Sequence, residues 1–66
     1  MNHMRLINVL QLSEMLNVKR KTIYDWVHND KIPYYKLGRC LRFDFDEVLK
    51  WIRSKKHKGK GRVDIL

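Results

Sequence analysis

The sequence predicts a small α+β domain in which three helices carry a two-stranded β-hairpin between the second and the third. Three observations predict it. Apolar residues recur at helical spacing in three separate stretches. After Pro33, the run YYKLGRCLRF reads as two short strands around a glycine turn. Sixty-six residues with a single cysteine leave room for one core and no intrachain disulfide.

The first helix is predicted from about Val9 to Leu16, because Val9, Leu12, Met15 and Leu16 recur on one helical face. Asn8 followed by Gln11 fits a capping box at its start. Asn17 is the natural stop, since asparagine tolerates the left-handed conformation that ends many helices. Val18 then supplies an apolar plug between two crossing helices.

The second helix is predicted over roughly Arg20 to Asn29, with Ile23, Trp26 and Val27 as its buried stripe. Arg20, Lys21, Tyr24, Asp25 and His28 fall outside that stripe. Lys19 holds the cap position and offers no acceptor to the free N–H groups. Two cations at the positive end of a helix are also mildly unfavourable, and an incoming phosphate relieves both faults.

For the hairpin, a two-residue loop at Gly38-Arg39 pairs Lys36 with Leu41 and puts a lysine on an apolar face. A three-residue loop pairs Leu37 with Leu41 and Tyr35 with Phe43, leaving Lys36 and Arg42 together on the opposite face. The second register sorts apolar from charged residues and is the one expected, with Tyr35, Leu37, Leu41 and Phe43 in the core. The third helix opens at Asp44, with Glu47 as its capping partner, and buries Phe45, Val48, Leu49 and Ile52, with Trp51 at the flank. It ends near Ser54. Residues 1–54 are therefore expected to form the domain and residues 55–66 a basic, flexible tail carrying Lys55, Lys56, Lys58, Lys60 and Arg62.

Fifteen Lys and Arg against seven Asp and Glu give a net charge of +8, which calls for an anionic partner such as nucleic acid or a lipid surface. No stretch is apolar for long enough to span a bilayer, and no secretory signal is evident. A lone cysteine fits a reducing, cytoplasmic location. No catalytic order of Ser, His and Asp, no paired carboxylates in an apolar setting and no glycine-rich phosphate loop points to an enzyme. His3, His28 and His57 are too scattered for a zinc site, and no cofactor is expected.

Two short helices joined by a tight turn, with apolar residues at Leu12, Leu16, Val18, Ile23 and Trp26, match helix-turn-helix spacing. The second helix of such a unit lies in the major groove of DNA. The residues at its outward positions here have suitable chemistry. Lys19, Arg20 and Lys21 donate to guanine edges or phosphates, Thr22 meets a thymine methyl, and Tyr24 donates to phosphate. Asp25 is repelled by phosphate, and together with His28 it is left outside the expected set.

The run from Ile7 to Ile52 resembles the excisionase-type helix-turn-helix domain, a relative of the MerR DNA-binding domain. LNVKRKTIYDW carries the turn and second helix, KIPYYKLGRCLRF the wing, and DEVLKWI the closing helix. Departures are Asn17 for a usual glycine, Ser13 for alanine and Lys19 for serine. The resemblance implies a winged helix-turn-helix whose reading helix spans Lys19 to Tyr24 and whose wing brings Lys36, Arg39 and Arg42 to a neighbouring groove or the backbone. It implies an architectural protein that binds double-stranded DNA near a recombination site, bends it and assists a tyrosine integrase in excision. Because one helix-turn-helix reads few base pairs, several copies are expected to bind cooperatively. Small transcriptional regulators share the domain. A membrane-surface or protein-interaction module is the rival from another class; it explains the basic tail but neither the wing nor the badly capped cationic helix.

Overall fold

The computed structural model describes residues 5–57. Strand β1 (Leu6–Ile7) leads into helices α1 (Val9–Leu16) and α2 (Arg20–His28), the hairpin of β2 (Tyr35–Leu37) and β3 (Cys40–Asp44), and helix α3 (Phe45–Arg53). His3, the cations Lys58, Lys60 and Arg62, and Val63 to Leu66 lie outside the described residues. The expected three helices and hairpin are present, with one addition. Strand β1 pairs antiparallel with β3, giving a three-stranded sheet of order β1-β3-β2. Two residues are too few to show a strand's period, so the sequence carries no sign of it.

Helix α1 begins with the full capping box. Asn8 Oδ1 accepts from Gln11 N at 2.8 Å, and Asn8 N donates to Gln11 Oε1 at 2.9 Å. Its buried face is Val9, Leu12 and Ser13, with Leu16 packed alongside. Met15, expected in that face, is 51% exposed. Ser13 takes its place because positions 9, 12, 13 and 16 follow the i, i+3, i+4, i+7 rule more closely, and its hydroxyl is satisfied by Leu10 O at 2.8 Å. Asn17 sits in the left-handed region with φ 58° and ψ 46°, and its N–H and that of Val18 both donate to Ser13 O. Val18 is the apolar residue that follows such a cap and packs against the core.

Helix α2 ends in the same way. Asp30 adopts φ 53°, Asp30 N donates to Val27 O at 3.0 Å and Lys31 N to Trp26 O at 2.8 Å. The chain then turns so that Ile32, 3% exposed, enters the core. That core is Val9, Leu12, Ile23, Ile32, Phe43 and Val48, where helices α1, α2 and α3 meet the central strand β3. Trp26 and Trp51 pack against it edge to face, with ring centroids 5.3 Å apart. Lys55 Nζ lies 5.5 Å above the Trp51 ring.

The hairpin register differs from the expected one. Leu37 pairs with Cys40, Lys36 with Leu41 and Tyr35 with Arg42, so the loop is the two-residue Gly38-Arg39. Gly38 has φ 65° while Arg39 does not enter the positive region, the pattern of a two-residue turn that takes glycine first. Turn chemistry outweighs side-chain sorting here, because the tip of the hairpin is exposed on both faces and gains little from sorting. Three consequences correct the expectation. Lys36 and Arg42 lie on opposite faces, Leu37 is 52% exposed, and Tyr34 rather than Tyr35 packs against the core beside Phe43.

Tyr35 instead donates its hydroxyl to Glu47 Oε2 at 3.0 Å. This bond holds the phenol's pKa above its ordinary value, with partial burial and the charges of Glu47 and Asp44 acting in the same direction. Glu47 is thereby engaged across the fold rather than as the capping partner expected of it. Asp44 caps α3 by accepting from Asp46 N at 3.0 Å. On α3, Val48, Trp51 and Ile52 face the core, while Phe45 and Leu49 are half-buried outside it.

Candidate nucleic-acid interface

The lower side of α2 is fixed by Ile23, fully buried, with Trp26 and Val27 partly buried on either side. At 100° per residue, the face opposite that stripe is formed by Lys21, Asp25 and His28, all exposed. Arg20 and Tyr24, one turn apart, occupy one flank, and half-buried Thr22 the other. Lys19 is the N-cap, extended at φ −76° and ψ 148°, and its side chain makes no capping bond.

The flank bearing Arg20 and Tyr24 faces the wing. Between them lies an open depression of about 360 Å³ lined by Arg20, Tyr24, Arg39 and Arg42. Asn8, Val9 and Leu10 from the start of α1 close one side, and Cys40 and Leu41 of β3 another. Four of the eight residues expected at the DNA interface are thus brought to one place. Lys19, Lys21 and Thr22 stay on α2 outside the depression, and Lys36 lies across the hairpin from it, opposite Leu41.

Arg42 is half-buried, and its Nη1 donates to Leu41 O at 2.7 Å, which orients the guanidinium while leaving further donors for a ligand. Arg39, next to Gly38 at the turn, is exposed. Tyr24 is 50% exposed, which leaves it open to an incoming group.

The sequence alone gives no reason to place Asn8 and Leu10 in this region. Capping accounts fully for Asn8. Leu10, 49% exposed and outside the apolar stripe of its helix, is the one available signal. Nothing in the sequence shows that the start of α1 lies beside the wing, because that proximity comes from β1 pairing with β3.

Among the described residues no helix is long and apolar enough to cross a membrane, and no group of three His, Cys, Asp or Glu side chains could hold a metal. A family model described as a helix-turn-helix domain matches residues 6–56. No curated protein and no solved structure matches the chain.

Proposed function

The chain belongs to the helix-turn-helix domain family, a DNA-binding domain, and on that premise we propose an excisionase-type architectural role on double-stranded DNA. Helix α2 enters the major groove, and the β2–β3 wing lies against the flanking backbone or groove. The observation that carries this reading is the convergence of Arg20, Tyr24, Arg39 and Arg42 from two separate elements on one depression. Lys19, Arg20, Lys21, Thr22, Tyr24, Lys36, Arg39 and Arg42 form the contact set. Lys21, Asp25 and His28, opposite the buried stripe, reach furthest toward base edges, so Asp25 joins that set as an acceptor for cytosine N4.

Affinity comes mainly from cations displacing counterions, and α2 then selects register and sequence. A domain this small reads few base pairs, so several copies bind side by side, and a tyrosine integrase is the partner whose excision reaction they assist. The basic residues from Lys55 onward add non-sequence-specific affinity.

A duplex titration across salt tests the binding mode: log affinity falls with a slope of about −0.9 for each phosphate contact. Lys21→Ala weakens binding to a preferred duplex by roughly 1–3 kcal/mol and relaxes the preference. Unchanged affinity and preference in Lys21→Ala would remove α2 from the groove. Reconstituted excision separates the two roles. With integrase and an integrated substrate, the chain raises the yield of excised product; a transcriptional regulator of the same fold leaves that yield unchanged and alters promoter output.

A further inference from the structure

We propose that the depression between α2 and the wing seats a single DNA phosphodiester, gripped jointly by Arg20 and Tyr24 from one side and by Arg39 and Arg42 from the other. The inference rests on the DNA-binding reading and goes further, because it assigns these four residues to one point on the backbone rather than to bases.

The first argument is charge. Three arginines line one concavity, and no Asp or Glu is among the residues that line it. Like charges gathered without a counter-charge repel one another, and an anion in their midst removes that repulsion. The chemistry of the donors suits phosphate in particular, since guanidinium groups match its oxygens two at a time and the Tyr24 hydroxyl adds a neutral donor.

The second argument is position. Arg20 and Tyr24 lie on the wing-side flank of α2, away from the face of Lys21, Asp25 and His28 that is directed into a groove. When a helix occupies one groove and a wing lies beside it, the backbone strand bounding that groove must pass between them. The depression is the space available for that passage. Its remaining walls are neutral, with Leu10, Cys40 and Leu41 suited to the sugars on either side of the phosphate. Arg42 is already tethered through Leu41 O, so part of the ordering is complete before DNA arrives.

The test uses the full chain and a duplex selected by it from a random pool. That duplex is remade with a neutral methylphosphonate at one linkage at a time. At one linkage the wild type loses about ten-fold or more in affinity, the scale of hydrogen bonds to a charged group. At that same linkage Arg20→Ala and Arg39→Ala, each already weakened on the unmodified duplex, lose less than the wild type does, because one of the joint donors is already gone. Both variants select the same sequence as the wild type. Cys40 gives a second readout, because saturating duplex slows its alkylation.

If the reduced loss falls at different linkages in Arg20→Ala and Arg39→Ala, or if no linkage is sensitive in the wild type, the shared seat is overturned while DNA binding stands. The same holds if Arg20→Ala changes the selected sequence or if Cys40 reacts unhindered in saturating duplex. A wild type that retains no duplex overturns the DNA-binding reading together with the seat.

Discussion

Asn17 shows how one residue sets a functional angle. Its left-handed backbone, with φ 58°, ends α1 and redirects the chain into α2, and Val18 fills the crossing that results. Glycine takes this conformation freely, asparagine at small expense and a β-branched residue badly. Asn17→Gly is therefore expected to be at least as stable as the wild type. Asn17→Val should lose about 1–2 kcal/mol, read as a fall of several degrees in Tm. A valine variant melting with the wild type would mean that the turn does not depend on this backbone state.

At the scale of elements, the bond from Tyr35 to Glu47 ties the hairpin to α3. Only the protonated phenol donates it, and in the fold that proton is held more tightly than in the unfolded chain. The stability it contributes is complete below the ordinary phenol pKa, about 10. It is lost as pH rises through the raised, folded-state value. Tyr35→Phe should lower Tm at neutral pH and flatten the decline in Tm on the alkaline side. Tyr34, raised chiefly by the charge of Asp30, contributes its own alkaline decline and remains in both proteins. Equal slopes for wild type and variant above pH 10 would assign the whole decline to other groups.

The elements also show what can be read from the chain and what cannot. Helix ends are legible because capping is local: Asn8 with Gln11, Asn17 and the uncapped Lys19 each announce themselves within four residues. The hairpin register is legible in principle. Gly38 at the first loop position is the correct sign, but sorting apolar from charged side chains points the other way. That rule holds for strands with a buried face, and here only Phe43 is fully buried. The cations and the tyrosine proposed to meet DNA can be named individually from sequence. That Arg20 and Tyr24 adjoin Arg39 and Arg42, with Asn8 and Leu10 alongside, depends on packing between distant segments and has no local sign.

For the whole molecule, the core is small enough that single side chains are decisive. Leu12, Ile23, Phe43 and Val48 are each fully buried, and Phe43 is the largest of them. Phe43→Ala should cost about 3–5 kcal/mol. Domains of ordinary size have only about 5–15 kcal/mol in total, and one this small sits toward the lower end. The variant is expected to be largely unfolded at 37 °C by circular dichroism, and to lose duplex binding although it lacks no cation. A folded Phe43→Ala protein would mean that β3 is not the centre of the core.

The pairing of β1 with β3 has a consequence for the order in which the molecule comes together. Leu6 meets Asp44 and Ile7 meets Phe43, so α1, α2 and the hairpin all lie within the loop that these pairs close. The entropy of closing a loop is lost before its contacts repay it, and pairings between distant segments slow folding. On a ribosome, Ile23 of α2 lacks its core partners Phe43 and Val48 until β3 and α3 have been synthesised. Competence to bind DNA therefore arrives late, after both β3 and α3 have emerged.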